Sequence, residues 1–240
     1  MPVSVDSDHK MQSVQLPLAI GLSDTATFEN FLQAGNAPVC HVLQQASEPF
    51  VYLWGPAGCG KSHLLQAACH AEDGRGGRAV YLPLPELLGH SPALLEGMEQ
   101  MTLVCVDDLQ CIAQDPAWQQ ALFHLYNRLR DAGHHLLAAG DAAPHALDLS
   151  LADLVSRLCW GPVFRLLELA DNEKSMALQQ RALRRGMSMP DEVALYLLAH
   201  GPRDMHQLFG LLEQLDQRSL IEQRRLTIPF VRRLLGPARP

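Results

Sequence analysis

The sequence predicts an α/β fold, in which a five-stranded parallel sheet lies between layers of helices and is followed by a small all-helical domain. Two observations lead to this prediction. Short apolar runs of strand length alternate with segments of helical periodicity through most of the 240 residues, which is typical of a parallel sheet covered on both faces. After Gly186 the pattern changes to helices alone. We therefore expect an N-terminal arm over residues 1–24, a three-layer α/β domain over residues 25–186 and a helical domain over residues 187–240.

The first half of the chain predicts three strands separated by helices. Phe50–Trp54 is a continuous apolar run that ends at a glycine-rich turn, as a buried strand does. Three glycines within residues 74–77 end the helix that follows. The predicted elements are helices over residues 37–46 and 63–69, a helix that turns Leu94, Leu95 and Met98 inward, and strands over residues 50–54, 79–82 and 103–107.

The second half predicts two more strands and then helices. Asp115 and Pro116 form a helix start, with an N-cap followed by proline at the first helical position, and the apolar residues keep helical spacing until Gly133. The predicted strands cover residues 135–139 and 163–167, and the predicted helices cover residues 116–132, 151–158, 172–185, 190–199, 203–218 and 228–235.

The composition excludes several classes of protein. An apolar fraction of 48% and a charged fraction of 19% are those of a globular chain rather than a disordered one. The apolar runs are far shorter than the ~18–20 residues that cross a bilayer, and no secretory signal follows the first ten residues. The net charge of −7 argues against a nonspecific nucleic-acid binder. The six cysteines and eleven histidines lack disulfide or zinc spacing. We therefore expect a cytoplasmic protein that does not contact membranes.

The strongest motif in the chain is a phosphate-binding loop. It follows a predicted strand and precedes a predicted helix, which is the context that such a loop requires. The glycines allow backbone N–H groups to surround phosphates, the lysine reaches the β- and γ-phosphates, and the serine can bind Mg²⁺. The residues that match are Gly55, Pro56, Ala57, Gly58, Cys59, Gly60, Lys61 and Ser62.

A pair of acids completes this site. The apolar strand over residues 103–106 is followed by Asp107 and Asp108. At the end of a strand both carboxylates can turn toward a bound nucleotide. We expect Asp107 to hold Mg²⁺ with Ser62, and Asp108 to polarise an attacking water.

Three further polar residues interrupt apolar segments. Asp141 follows a predicted strand at the sheet edge where ligands of parallel sheets bind. Arg157 lies in a short apolar helix, and Arg203 begins a helix of the small domain. Each of them alone would be read as an ordinary surface charge.

Taken in this order, the motifs resemble those of the AAA+ ATPases, and in detail those of the DnaA family with its short Hda branch. The resemblance extends from about Leu16 to Leu235. It implies that Asp141 is the sensor 1 residue, Arg157 the box VII arginine finger and Arg203 the sensor 2 arginine. Its most specific stretches are residues 52–55, 62–69, 122–128, 156–161 and 226–231.

The resemblance also implies a function, cofactors and partners. A protein of this branch docks on the DNA-loaded sliding clamp, so that it meets DNA through the clamp, and stimulates hydrolysis of ATP bound by DnaA. The expected cofactors are ADP or ATP with Mg²⁺, held by the phosphate-binding loop together with His63, Asp141 and Arg203. Arg157 and Asp108 are the expected catalytic residues, and a homo-oligomer is expected. The expected clamp-binding residues are Gln12, Leu16, Pro17 and Leu18, with Gln12 one position away from the family pattern.

Three alternatives stay open. A replication initiator would need a DNA-reading domain after the helical domain and an extra helical element before the acidic strand. Only 26 residues separate Tyr81 from Asp107, which favours the regulator. A helicase loader or free-standing ATPase would hydrolyse its own nucleotide with Lys61, Asp107 and Asp108. A nucleotide-stabilised adaptor would perform no chemistry.

Overall fold

The computed structural model describes residue 22 and residues 26–222 and 225–235 of the chain. Within these residues the strands form one parallel sheet in the order β2-β3-β4-β1-β5. The predicted parallel five-stranded sheet is therefore confirmed. The strands are β1 Phe50–Trp54, β2 Ala79–Pro83, β3 Leu103–Asp107, β4 His135–Gly140 and β5 Val163–Arg165.

Helices cover both faces of the sheet. Because side chains alternate along a strand, Val104 and Val106 of β3 pack with the helices of one face, α4 and α5, whereas Leu103 and Cys105 pack with α1 and α2 on the other. The helices of this part are α1 Ala37–Gln45, α2 Lys61–Gly74, α3 Leu84–Leu87, α4 Pro116–Ala132 and α5 Ala152–Leu158.

Four further helices form a helical region with its own core. Each of them contributes a side chain that is completely buried, namely Leu178, Val193, Leu212 and Val231. This arrangement confirms the predicted all-helical lid. The first of the four belongs to this core, whereas the sequence pattern predicts it as part of the α/β domain. The helices are α6 Asp171–Arg184, α7 Asp191–His200, α8 Met205–Glu222 and α9 Ile228–Leu235.

The prediction of one helix between β2 and β3 is wrong. The segment contains α3 and two 3₁₀ turns, Pro92–Leu95 and Met98–Gln100. Pro92 cannot lie inside a continuous helix because its ring removes a backbone donor, and Gly97 adopts a φ of +81°, which stops the helix. Leu95 and Met98 are nevertheless buried as predicted, and Leu94 is partly buried.

Other bounds differ by small amounts. The helix α8 begins at Met205 rather than at Arg203, because the Asp204 carboxylate accepts hydrogen bonds from the N–H groups of His206 and Gln207 at 3.3 and 3.4 Å, as an N-cap residue does. The strand β5 ends at Arg165, two residues earlier than predicted. The bounds of β1, β3 and α9 are as predicted.

The predicted arm lies almost entirely outside the described residues, and so do Gln12, Leu16, Pro17 and Leu18. Leu22 is described, and it is partly buried against the cluster that contains α1 and α2. Among the described helices, none is long and apolar enough to cross a membrane.

Candidate nucleotide-binding site

The polar ends of three neighbouring strands meet at one edge of the sheet. The phosphate-binding loop follows β1, Asp107 ends β3 and Asp108 comes directly after it. Asp141 follows β4, which lies between β1 and β3. In the register of the sheet, Trp54 pairs with Gly140, and Val106 pairs with Ala138. The carboxyl ends of the three strands are therefore level with one another. This edge is the usual ligand position of an open parallel sheet.

The phosphate-binding loop contains glycines that a residue with a side chain could not replace without strain. Gly58 and Gly60 have φ angles of +77° and +100°, in the left-handed region that favours glycine. A side chain at Gly58 would collide with the Asp204 carboxylate, and one at Gly60 would collide with the ring of Phe31. Gly60 is also the N-cap of α2, so the first N–H groups of this helix face the loop and can bind an anion.

Lys61 is held inside the loop. Its side chain is 8% exposed, and Nζ donates hydrogen bonds to the carbonyl oxygens of Gly55 at 2.7 Å and Pro56 at 3.0 Å. An ammonium has three hydrogens to donate, and the remaining neighbour is the sulfur of Cys59 at 4.0 Å, a weak acceptor. The third donor is thus available for a phosphate oxygen.

Asp107 is buried and accepts three hydrogen bonds. It is 1% exposed, and it accepts hydrogen bonds from the hydroxyl of Tyr81 at 2.7 Å, from the N–H of Asp108 at 2.9 Å and from the hydroxyl of Ser62. Burial raises the pKa of the Asp107 carboxyl, while the hydrogen bonds from Ser62 and Tyr81 oppose this shift. The structure therefore brings the two predicted Mg²⁺ ligands, Ser62 and Asp107, into contact.

Asp108 and Asp141 are joined by a residue that the sequence analysis missed, Gln110. Its Nε2 donates to Oδ1 of Asp108 at 2.8 Å, and its Oε1 accepts from the N–H of Asp141 at 3.2 Å. Asp108 itself has a φ of +59°, an uncommon conformation for a residue with a side chain, and such residues occur often at functional sites. A polar residue between the buried Leu109 and Ile112 was the available signal for Gln110.

The oxygen atoms at this edge suit Mg²⁺ better than a transition metal. Carboxylates and a hydroxyl are hard ligands, and Mg²⁺ keeps several waters and uses few protein groups. Among the described residues there is no group of three or more His, Cys, Asp or Glu side chains that could hold a metal by themselves. The residues present therefore fit a nucleotide with Mg²⁺.

The helical region reaches the loop through the start of α8. Asp204, which caps α8, lies against Gly58. Arg203 precedes it and is exposed. The predicted sensor 2 residue thus lies beside a residue that touches the phosphate-binding loop.

His63 connects the loop to the segment before α1. Its Nε2 donates to the carbonyl oxygen of Thr27 at 2.8 Å, and its ring lies 5.4 Å from that of Phe31 between centroids. Burial lowers the pKa of His63, so its neutral form is favoured. Leu32 of the same segment packs on the helical region. Neither Thr27 nor Phe31 belongs to a sequence motif, and the sequence analysis missed both.

Arg157 lies in a different environment from the other predicted site residues. Its guanidinium carbon is 4.2 Å from the centroid of the Trp160 ring and 5.9 Å from that of Phe123. Its Nε is buried without a hydrogen-bond partner, and within the described part of the chain it forms no ion pair with Asp153. Trp160 is 58% exposed. The structure therefore places Arg157 beside an exposed aromatic ring and gives it no contact with the phosphate-binding loop among the described residues.

Comparison with known proteins gives two family matches that together span most of the chain. The model of the bacterial DnaA ATPase domain matches residues 22–165. The model of the Hda lid domain matches residues 171–235.

Solved structures of DnaA have a similar fold. Domain III of the Thermotoga maritima replication initiation protein DnaA is 22% identical, with 90% of this chain and 97% of that chain covered and a TM-score of 0.76. AMPPCP-bound DnaA from Aquifex aeolicus is 24% identical, with coverages of 85% and 71% and a TM-score of 0.68. A replication initiator DnaA bound to AMPPCP and single-stranded DNA is 25% identical, with coverages of 85% and 69% and a TM-score of 0.68.

Proposed function

The chain belongs to the DnaA/Hda family of AAA+ proteins, and on this basis we propose that it is a regulatory inactivator of the replication initiator DnaA. In this proposal it carries ADP in its own pocket and docks on the DNA-loaded sliding clamp through its N-terminal arm. It then uses Arg157 to stimulate hydrolysis of the ATP that DnaA holds. Chemistry takes place in the partner's site, and re-initiation of replication is prevented.

The geometry of the sheet edge supports a bound nucleotide. Two similar DnaA structures contain AMPPCP, and the third donor of Lys61 here faces the sulfur of Cys59, a weak acceptor that a phosphate oxygen can replace. Ser62 and Asp107 would hold Mg²⁺, which neutralises phosphate charge when it is bound. Asp141 and Arg203 would line the same site. Gln110 fixes the position of Asp141 at the end of its strand, and Arg203 lies next to Asp204, which contacts the loop.

The short connection between β2 and β3 is the observation that favours a regulator over an initiator. The resemblance implies that initiators insert an additional helical element for single-stranded DNA there. In this chain the connection holds only α3 and two 3₁₀ turns, none longer than four residues. There is no helix in this fully described segment that could serve as the inserted element.

The surroundings of Arg157 support its action on a neighbouring molecule. Trp160 beside it is exposed, and Arg130 lies 5.8 Å from the same ring. Exposed tryptophan and arginine side chains are typical of the residues that dominate protein interfaces. A guanidinium at such a surface can reach a partner's γ-phosphate and stabilise charge there.

Hydrolysis of its own ATP is the second candidate function. Lys61, Asp107 and Asp108 form a complete set for it, and Asp108 occupies the unusual backbone conformation described above. The same observations fit an adaptor that only requires nucleotide for its stability. An assay without DnaA separates these candidates, because only a self-sufficient ATPase releases phosphate when it is alone.

The decisive experiment is an assay of ATP hydrolysis by preloaded DnaA. We expect rapid conversion of DnaA-ATP to DnaA-ADP only when this protein, the sliding clamp and DNA are all present. Omitting each component in turn supplies the controls. A rate that does not change when this protein is added would contradict the proposal.

A further inference from the structure

Gln119 is a buried polar residue that no predicted motif contains. It lies on α4 with none of its surface exposed. Its Nε2 donates to the carbonyl oxygens of Ile112 at 2.9 Å and Ala113 at 2.8 Å. Its Oε1 accepts from the hydroxyl of Ser150 at 3.0 Å and from the N–H of Leu151 at 2.9 Å. The four bonds use both hydrogens and both lone pairs of the amide, which is its full capacity.

On one side Gln119 holds the start of the helix that carries Arg157. The carbonyl oxygen of Leu151 accepts the first hydrogen bonds of α5, from the N–H groups of Leu154 and Val155 at 3.0 and 3.2 Å. No side chain of the N-cap residue caps this helix. The amide of Gln119 is thus the side-chain group that fixes the residue from which α5 begins.

On the other side Gln119 holds the turn that follows the two aspartates. This turn, Leu109–Ile112, begins directly after Asp108, and the hydrogen bond of Gln110 to Asp108 ties it to the candidate nucleotide site. Leu109 and Ile112 are completely buried, so the turn is anchored in the core. A single side chain therefore bonds the main chain on both sides, the turn after the acids and the helix of Arg157.

We propose that Gln119 is a positioning residue that transmits nucleotide binding at Asp107 and Asp108 to the start of α5. The inference rests on the proposed function, because it takes this sheet edge as the nucleotide site and Arg157 as the acting group. A bound nucleotide holds Asp108 and makes local opening of the turn after it rarer. Because the Gln119 amide bonds that turn and Leu151 together, rarer opening of the turn also means rarer opening of α5.

Hydrogen exchange tests this coupling without an activity measurement. In the wild-type protein, saturating ADP with Mg²⁺ should slow amide exchange both in α2 and in α5, the latter by about 2- to 30-fold, the range expected for coupling between sites. In Gln119→Met, which keeps the size of the side chain but loses its hydrogen bonds, α2 should still be protected by ADP and α5 should not. The matched control is Gln120→Met, the same change at the exposed neighbour on the same helix, and it should behave like the wild type.

A second variant covers the case in which Gln119→Met does not fold. Ser150 is exposed, and Ser150→Ala removes one of the two donors to Oε1, so it should reduce the ADP-dependent protection of α5 only in part. The inference is overturned if α5 keeps its wild-type response to ADP in Gln119→Met, or in Ser150→Ala when the first variant is unfolded. It is also overturned if ADP protects α2 but not α5 in the wild type. If ADP protects neither helix in the wild type, the proposed nucleotide site fails, and the inference fails with it.

Stimulation of DnaA provides a second readout. Gln119→Met should lower the maximal rate of stimulated hydrolysis, because Arg157 is present but less well placed. Its binding to the clamp should equal that of the wild type. A wild-type maximal rate in a variant that has lost the α5 response would overturn the role of Gln119 in positioning Arg157 and would leave the proposed function standing.

Discussion

The hydroxyl of Tyr81 on β2 donates a hydrogen bond of 2.7 Å to Oδ2 of Asp107 at the end of β3. The contact lies deep in the protein, since Asp107 is 1% exposed. Together with the hydroxyl of Ser62 and the N–H of Asp108, Tyr81 satisfies a carboxylate that burial would otherwise strongly disfavour. The compensation is incomplete, because the pKa of Asp107 stays raised. The folded protein thus keeps a costly charge at its sheet edge.

The first prediction is that Asp107→Asn stabilises the protein in the absence of nucleotide and metal. Asparagine has no charge to desolvate, and we expect a gain of about 0.5–2 kcal/mol, the range that single stabilising substitutions commonly give. Because the carboxyl pKa is raised in the folded state, the wild type loses stability as the pH rises through that pKa. The gain should therefore be largest at neutral pH and should shrink as the pH falls toward ~4, near the pKa of an unfolded aspartate. Urea unfolding in EDTA at several pH values measures it.

The same variant should lose its response to metal. ADP with Mg²⁺ should stabilise the wild type more than ADP with EDTA, and this difference should vanish in Asp107→Asn. An Asp107→Asn protein that is less stable than the wild type at neutral pH would contradict the expected gain in stability. One that keeps the full Mg²⁺ effect would count against Asp107 as a metal ligand.

The second prediction is that Lys61→Ala abolishes stabilisation by ADP. A ligand at 100 times its Kd stabilises the folded state by about 2.7 kcal/mol, which raises the Tm of a protein of this size by roughly 5–10 °C. This rise should disappear in Lys61→Ala because the phosphates lose their cation. The matched control is Lys174→Ala, which breaks the ion pair with Glu168. It should lower the starting Tm but keep the ADP-dependent rise, and equal rises in wild type and Lys61→Ala would refute the assignment.

The bounds of some elements could be predicted from sequence, whereas others could not. The strands β1 and β3 are apolar runs with clear stops, because Gly55 follows the first and Asp107 ends the second. The segment that contains Leu94, Leu95 and Met98 was misjudged because its apolar spacing fits a helix and also fits short turns that bury the same residues. Pro92 and Gly97 decide against a single helix, because proline lacks a backbone donor and Gly97 has a φ of +81°.

The residues of the candidate site likewise fall into those that the sequence predicts and those that it does not. That Lys61, Ser62 and Asp107 lie at one edge of the sheet could be predicted, because these residues belong to short motifs and a parallel sheet brings the ends of such strands together. Gln110 stands out as a polar residue between apolar ones, but its partners and those of Gln119 could not be predicted. They are segments that lie 31 and 32 residues away in the chain, at Asp141 and Leu151. No local pattern specifies such a pairing.

The third prediction concerns the N-terminal arm, whose proposed clamp-binding residues lie outside the described part of the chain. Leu16 and Leu18 are alternate residues, and extended peptides bind by placing alternate side chains in pockets. Deletion of residues 1–20, or the double change Leu16→Ala and Leu18→Ala, should abolish capture of the sliding clamp in a pull-down. The control is the ADP-dependent rise in Tm, which should equal that of the wild type because the folded domain is intact. Undiminished clamp binding by either variant would eliminate the arm as the docking segment.

The fourth prediction is that Arg157→Ala removes nearly all stimulation of DnaA-ATP hydrolysis. An arginine that stabilises charge on a transferring phosphoryl group is worth ~10³–10⁵ in rate, or about 4–7 kcal/mol of activation free energy. A surface ion pair, such as one with Asp153 four residues away, would contribute only ~0.2–0.5 kcal/mol, and the described residues show no such pair. The stacking on Trp160 is worth about 0.5–2 kcal/mol at a partly exposed site, so loss of that contact alone cannot explain a loss of 10³-fold or more.

The matched control for this prediction is Arg130→Ala. Arg130 lies over the same Trp160 ring at 5.8 Å and pairs with Asp131 at 2.9 Å, so its removal changes the charge and the aromatic contact in the same region. Folding, ADP binding and clamp binding should stay near wild type in both variants, because Arg157 has no contact with the phosphate-binding loop among the described residues. Stimulation should fall to near background in Arg157→Ala and by no more than a few-fold in Arg130→Ala. An Arg157→Ala protein that still stimulates hydrolysis at half the wild-type rate would show that Arg157 is not the acting group, and the proposal that this protein completes DnaA's active site would fall with it.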